Sequence, residues 1–192
     1  MAKSAFIMAD IGYMDISINI LRTGRMRKQG FTLVELLIVV AILGIMAAIV
    51  IPTFQGNVAQ AKESASKTNL GTIRTQIELY KLHHNGYPPG YVNGNGTDIA
   101  TLILQFTGTT TVAGLASSST VPANPFLYGP YLKKIPPNPF NKLSTISYVA
   151  EATAFSAVAD GTSSGWLYKK ETGEMVLNWT GTDSDGVAYY DY

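Results

Sequence analysis

The sequence predicts an α+β protein in which a long N-terminal helix packs its second half against a small C-terminal antiparallel β-sheet. Three observations predict this class. Residues 31–51 are almost wholly apolar, apolar residues then recur at helical spacing up to Tyr80, and from Ser144 the apolar residues alternate with polar ones. A period near 3.6 indicates a helix and a period of two indicates a strand.

The apolar run is long enough to cross a membrane. At about 1.5 Å per residue, a helix over 31–51 spans the roughly 30 Å hydrocarbon core of a bilayer. The cations before it end at Gly30, and they predict a cytoplasmic N-terminal end with the remaining chain in the periplasm; they are Arg22, Arg25, Arg27 and Lys28. A cleavable signal peptide has a shorter apolar core. A plain anchor does not explain Glu35, because a carboxylate in a membrane is costly without a partner.

The junction between the cations and the apolar run is specific. Lys28-Gln29-Gly30-Phe31-Thr32-Leu33-Val34-Glu35 resembles the processing site of the type IV pilin family, which includes the pseudopilins of type II secretion. The resemblance implies that a prepilin peptidase cuts between Gly30 and Phe31 and methylates the new amine on Phe31. It also matches Glu35 and Pro52 to the glutamate and the helix-interrupting proline of the family, and so assigns both to filament assembly.

The resemblance divides the chain into five parts. Residues 1–30 are a leader that is removed; they are longer and more apolar than a usual pilin leader, so we expect translation to start downstream, at Met26 or at Met14. The other parts are the transmembrane and filament-core helix 31–52, its amphipathic continuation 53–86, an irregular loop region 87–143, and the sheet with its C-terminal loop 144–192. The resemblance thus implies a type IV pilin-like fold.

Composition excludes several classes of protein. The 192 residues carry a net charge of +1, but removal of residues 1–30 leaves nine cations and eleven anions, a net charge of −2. No basic patch for nucleic acid remains, so no nucleic-acid partner is expected. The chain has no cysteine, so a periplasmic domain must hold its loops by packing or by a metal.

The second half of the helix is amphipathic. Its apolar stripe, which needs a partner surface, comprises Val58, Ala61, Ala65, Leu70, Ile73, Ile77 and Tyr80. Asn85-Gly86 and then Pro88 end the helix. Pro52 and Gly56 predict a bend or local melting, since proline removes one internal hydrogen bond.

The loop region contains one predicted helix and one loop typical of the family. Asp98–Phe106 reads as a short helix capped by Thr97 or Asp98. Gly129–Phe140 resembles the loop of the major pseudopilins, with Asn138 where an aspartate is usual. Residues 107–124 look like an insertion, and Lys133 and Lys134 are interpreted as solvated loop residues.

The C-terminal third predicts strands. Residues 146–150 alternate as a strand, and 165–168 and 175–179 form a hairpin whose turn contains Gly173. Residues 155–158 are a weaker extension of this pairing. The tail after residue 180 is a polar turn followed by aromatic residues.

The sequence shows no catalytic arrangement, and we expect no enzyme activity. His83 and His84 lie beside no cysteine, serine elbow or carboxylate cluster, and are interpreted as solvated residues at a helix end. Asp183-Ser184-Asp185-Gly186 begins like a calcium loop, although an ordinary Asp/Gly turn is the more common explanation. The resemblance favours calcium, because cysteine-free major pseudopilins bind it in their C-terminal loop. Asp183 and Asp185 are therefore the predicted metal ligands.

The predicted function is that of a structural subunit that polymerises with other pilin subunits, with Glu35 paired to the Phe31 amine of a neighbour. The resemblance is closest to the major pseudopilin that drives protein export by type II secretion. It implies, as partners, a prepilin peptidase, an inner-membrane assembly platform with its ATPase, and an outer-membrane secretin. Two alternatives stay open: a type IV pilus subunit for adhesion, motility or DNA uptake, and a membrane-anchored periplasmic binding domain that never polymerises.

Overall fold

The computed structural model describes residues 30–192, so the predictions on the leader before Gly30 and on its translation start lie outside the described residues. The chain divides into two compact units, one ending at Ile45 and the other comprising Met46–Tyr192. Helix α1, Leu33–His83, begins in the first unit and ends in the second.

The first half of α1 is apolar on all sides and exposed. Every described side chain from Phe31 to Ile51 is exposed on the surface of the single chain. A stretch of α1 is long and apolar enough to cross a membrane. The N-terminal part of α1 is therefore suited to act as a membrane anchor, since nothing else in the described chain covers its apolar surface.

The prediction at Pro52 and Gly56 was a bend or local melting. Helix α1 continues through both residues, so melting is wrong there, and a bend stays a prediction. A single proline removes one donor, and the neighbouring turns keep their own hydrogen bonds. The predicted end of the helix is confirmed. Asn85 and Gly86 adopt positive φ angles of 55° and 84°, and the Gly86 N–H donates to the carbonyl of Lys81 at 2.9 Å.

A three-stranded sheet lies in the C-terminal third. Its strands are β5 Ile146–Tyr148, β6 Trp166–Lys169 and β7 Glu174–Leu177, in the order β5-β6-β7. Strands β6 and β7 form the predicted antiparallel hairpin, with Gly173 at a φ of 79°.

Strand β5 runs parallel to β6, so the sheet is mixed rather than purely antiparallel. Parallel strands start at the same end of the sheet, so residues 149–165 return the chain to that end before β6 starts. Within this connection, Phe155–Ala157 form a 3₁₀ turn where the sequence predicted a weak strand extension, and that prediction is wrong.

The core forms where the apolar stripe of α1 meets the sheet. The buried residues of the stripe are Leu70, Ile73, Ile77 and Tyr80, and those of the strands include Ile146, Trp166, Tyr168, Met175 and Leu177. Burial of such a side chain stabilises the folded state by about 1.5–3 kcal/mol. From Leu70 onward the stripe meets its predicted partner surface. Val58, Ala61 and Ala65 are exposed, so the prediction is wrong for that part of the stripe. The α+β, pilin-like fold class is confirmed.

The loop region is more ordered than the sequence predicted. Helix α2, Ile99–Thr107, is capped by Asp98, whose carboxylate accepts the N–H of Thr101. Two short hairpins went unpredicted; their strands are β1 Tyr91–Val92, β2 Asn95–Gly96, β3 Thr109–Thr110 and β4 Ala116–Ser117. Lys133 and Lys134 are exposed, as predicted.

Candidate functional site

The predicted processing site is exposed. Gly30 and Phe31 lie before α1 in non-helical backbone, and Phe31 is 79% exposed. A peptidase needs an accessible, non-helical segment, and the bond between these residues offers one. Cleavage there and methylation of Phe31 stay predictions.

The carboxylate of Glu35 caps its own helix. Glu35 Oε2 accepts the backbone N–H of Thr32 at 2.9 Å and the hydroxyl of Thr32 at 2.8 Å, while Thr32 Oγ1 accepts the N–H of Glu35 at 3.2 Å. This reciprocal pair is a capping box. The sequence reasoning missed Thr32, although the spacing Thr-x-x-Glu at a helix start is the known signal for it.

The capping box leaves part of the carboxylate available. Within the described residues, no group donates a hydrogen bond to Oε1 of Glu35. Oε2 is bonded to Thr32, the residue that follows Phe31. A second donor is therefore able to approach Glu35 without displacing Thr32. The helix also continues through Pro52, so neither of the two predicted assembly residues interrupts it.

A second polar site ties the tail to α1. Asp183 Oδ1 accepts the N–H groups of Asp185 and Val187, at 2.9 and 2.8 Å, and Oδ2 accepts the hydroxyl of Tyr192 at 2.6 Å. The side chain of Asp183 is only 3% exposed. The bonds from Tyr192 and from the two backbone amides lower the pKa of Asp183 to about 2.

Lys67 of α1 connects this carboxylate to the helix. Its Nζ lies 2.7 Å from Glu63 Oε1, 3.4 Å from Asp183 Oδ2 and 5.0 Å from the centre of the Tyr192 ring. Glu63 in turn accepts the N–H of Ser184 at 3.3 Å. We name Glu63, Lys67, Asp183 and Tyr192 the tail network; it holds the C-terminal loop by direct side-chain contacts.

The tail network does not fit a preformed calcium site. Both oxygens of Asp183 already accept protein hydrogen bonds, and the Lys67 ammonium lies where a cation would be repelled. Asp185 is exposed, and the described residues include no group of three or more histidine or acidic side chains placed to hold a metal. Calcium at Asp183 and Asp185 stays a prediction, and it requires Lys67 and the Tyr192 hydroxyl to move away.

Arg74 is a further connection that the sequence did not predict. Its guanidinium donates through Nε and Nη2 to the carbonyl of Met175 in β7, at 3.2 and 3.0 Å, and through Nη2 to the backbone oxygen of Tyr192. Partial burial lowers the pKa of Arg74. Helix, sheet edge and tail are thus joined by one cation.

His84 is buried, and His83 is half-buried with its Nδ1 2.9 Å from the Tyr131 hydroxyl, so the prediction of two solvated residues is wrong. The His84 ring stacks on Tyr80 at 3.6 Å, Nδ1 bonds the Tyr80 carbonyl at 2.7 Å, and Nε2 bonds the Thr110 hydroxyl at 2.9 Å. Burial lowers the pKa of His84 and favours the neutral ring. The residue joins the end of α1 to the loop region and has no catalytic partner among its contacts.

Comparisons with known proteins agree with these features. Residues 25–51 match the prokaryotic N-terminal methylation motif. The chain is 32% identical over 163 residues to the type II secretion system core protein G of Vibrio cholerae, a match that covers 81% of this chain and 94% of the relative. It is 32% identical over 146 residues to the core protein G of Pseudomonas aeruginosa, covering 73% of this chain and 90% of the relative.

A fimbrial protein of Eikenella corrodens is 38% identical over 82 residues, which cover 43% of this chain and 51% of that protein. No solved structure gives a significant match.

Proposed function

Since the chain belongs to the family of type II secretion system core protein G, we propose that it is the major subunit of a pseudopilus, a filament that drives protein export. The observation that carries this proposal is the 32% identity to two core G proteins over at least nine-tenths of their length. The methylation motif at residues 25–51 fits a pilin-like filament subunit.

Assembly follows from the first half of α1. Its apolar side chains are exposed in the single chain, so only lipid or the helices of other subunits can cover them. A subunit that leaves the membrane must therefore pack this surface against its neighbours. Filament formation replaces lipid contacts with protein contacts and needs no further apolar partner.

Glu35 sets how neighbouring subunits align along the filament. After cleavage, the amine on Phe31 and the Glu35 carboxylate are two charges that a membrane disfavours. The capping box holds the carboxylate in place and leaves Oε1 available for the amine of a neighbouring subunit. Pairing neutralises both charges in one contact.

The remaining partners are part of the proposal. A prepilin peptidase cleaves after Gly30, and an inner-membrane platform with its ATPase adds subunits. An outer-membrane secretin receives the exported protein, and the folded domain lies in the periplasm, because the leader cations hold the other end in the cytoplasm. The role is structural rather than catalytic.

A surface pilus subunit is the second candidate, and the match to the fimbrial protein of Eikenella corrodens favours it. That match covers about half of either chain, whereas the matches to the core G proteins of Vibrio cholerae and Pseudomonas aeruginosa cover 94% and 90% of those proteins. An anchored domain that never polymerises does not account for the Gly30–Phe31 junction and Glu35 together.

Deletion of the gene in its own host separates these functions. We expect proteins of the culture medium to accumulate in the periplasm, and surface pili to persist. Re-expression of the wild-type chain should restore export, and re-expression of the Glu35→Val chain should not. Loss of surface pili with unchanged export would instead identify a pilus subunit, and neither change would identify an anchored domain.

A further inference from the structure

A cavity of about 240 Å³ lies between the end of α1 and the loop region. Asn85 and Tyr87 line it from the segment after α1, and Tyr91 and Asn93 line it from the β1–β2 hairpin. The two tyrosine rings are 5.8 Å apart and inclined by 37°. The cavity is separate from both the N-terminal segment and the tail network.

Two Asn-Gly turns shape the walls of this cavity. Asn85 and Asn93 have φ angles of 55° and 52°, and each is followed by a glycine that also has a positive φ angle. Asn93-Gly94 is the two-residue turn of the β1–β2 hairpin, and its flanking register pairs Val92 with Asn95. The turns set the backbone at Asn85 and Asn93, and both residues line the cavity.

The polar groups of these walls are not used by the fold. Within the described residues, no hydrogen bond is made by the side chains of Asn85, Tyr87, Tyr91 and Asn93. Asn85 and Asn93 are exposed at the rim of the cavity, whereas the buried Asn138 and Asn178 use their side chains to hold loops together. The cavity therefore offers donors and acceptors that a ligand can take without breaking a protein contact.

The walls carry no charged side chain. Two other cavities of the same unit do, one lined by Glu63 and Asp183 and the other by Arg74 and Asp191. His84 lies at the back of the cavity with both ring nitrogens already bonded, and its burial favours the neutral form. Burial and the nearby carboxylates of Glu171 and Glu151 raise the pKa of Tyr91, so an anionic ligand would be repelled here.

We propose that this cavity binds a neutral pyranose sugar. Tyrosine rings present an apolar face to the C–H face of a sugar ring, and amides both donate to and accept from hydroxyl groups. Surfaces rich in tyrosine, asparagine and glycine are general recognition surfaces for polar ligands. The cavity is smaller than a drug-sized pocket, which suits a sugar residue rather than a folded partner.

Saturation-transfer NMR tests this proposal. The full chain is embedded in phosphatidylcholine nanodiscs, because the headgroup of a maltoside detergent is itself a sugar. The probes are chitobiose and maltotriose, with glucuronate as an anionic comparison and triglycine, acetylated and amidated at its ends, as an uncharged peptide. We expect transfer to at least one neutral sugar and none to glucuronate or triglycine.

Variants locate the site. Tyr87→Ala and Tyr91→Ala should each weaken sugar binding roughly tenfold, because each removes one aromatic face. Asn85→Gly and Asn93→Gly should weaken it as well while they preserve the fold, since glycine adopts the same positive φ. Asn95→Gly, in the same hairpin but outside the cavity, is the matched control and should bind like the wild type.

Three outcomes overturn the proposal. The first is the absence of transfer to either neutral sugar. The second is transfer that persists unchanged in the tyrosine variants. The third is equal transfer to triglycine, which would identify a peptide site instead.

Discussion

Asn138 provides a sharp test of how the loop region is held to the sheet. Its side chain is fully buried; Nδ2 donates to the carbonyls of Gly165 and Asn178 at 2.9 and 3.3 Å, and Oδ1 accepts the N–H of Phe140 at 2.9 Å. Asn138→Ala removes all three bonds. At about 1 kcal/mol for each net bond, we expect a loss of about 2–3 kcal/mol in the free energy of unfolding. For a unit of this size the loss lowers the melting temperature by roughly 5–10 °C.

Tryptophan fluorescence during urea unfolding measures this loss. Trp166 is buried, and its Nε1 donates to the carbonyl of Pro136 at 2.8 Å, two residues from Asn138. The full chain is studied in nanodiscs, where the apolar half of α1 stays in lipid. The midpoint should fall without a change in the urea dependence, because the surface exposed on unfolding is unchanged.

Asn138→Asp separates hydrogen bonding from packing. The introduced carboxylate would face two carbonyl oxygens, so its pKa in the folded chain should rise above the usual value of about 3.9. Relative to the wild type, the destabilisation should be smallest below that pH and should grow as the pH rises, because only the protonated acid donates. Asn95→Ala, at an exposed asparagine, is the control. An Asn138→Ala chain as stable as that control would refute the reasoning.

The other predictions concern assembly, the tail and pH. Glu35→Val should insert into membranes but fail to form filaments in a strain without the wild type. Glu78→Val, the same change at an exposed position in the second half of α1, should assemble; electron microscopy of sheared filaments distinguishes them. Tyr192→Phe should lower the melting temperature because Asp183 loses its hydroxyl partner, and Tyr190→Phe should not, since no hydrogen bond of the Tyr190 hydroxyl is found in the described residues. If calcium binds Asp183 and Asp185, calcium should raise the melting temperature over that in a chelator, magnesium should do so poorly, and Asp183→Ala should abolish the rise; equal midpoints with and without calcium would contradict calcium binding. Because burial lowers the folded-state pKa of His84, stability should fall as the pH drops below about 6.5, the pKa of an unfolded histidine, and His84→Gln should flatten this dependence in urea titrations.

Short sequence patterns correctly predicted the helices and the hairpin whose stability depends mainly on neighbouring residues. The helical period and the Asn85-Gly86 stop gave the course and the end of α1, and Asp98 gave the start of α2. The β6–β7 hairpin followed from alternation and from Gly173, whose positive φ the turn requires. In each case neighbouring residues carry most of the information, so sequence reasoning succeeds.

Contacts between distant parts of the chain were not predictable in this way. The pairing of β5 with β6 depends on the path of residues 149–165, which no short pattern specifies. Lys67 and Arg74 read as the polar face of an amphipathic helix, yet they contact residues more than a hundred positions away. His84 read as solvated because its burial depends on Thr110, which lies in the apparent insertion.

The N-terminal site was predictable only in part. The cations, Gly30 and the single Glu35 gave the motif from sequence alone, since their spacing is unusual. The role of Thr32 became visible only from atomic positions, because a capping box is defined by two reciprocal hydrogen bonds. That geometry holds the Glu35 carboxylate at the start of α1.

Mass spectrometry of the N-terminal peptide from assembled filaments tests the central proposal most directly. The proposal requires a filament subunit whose chain begins at Phe31 and whose amine is methylated, because that amine must face Glu35 of a neighbour. We predict that filaments contain this peptide and lack residues before Phe31. Filaments built from chains that retain Gly30 and the leader would contradict the account.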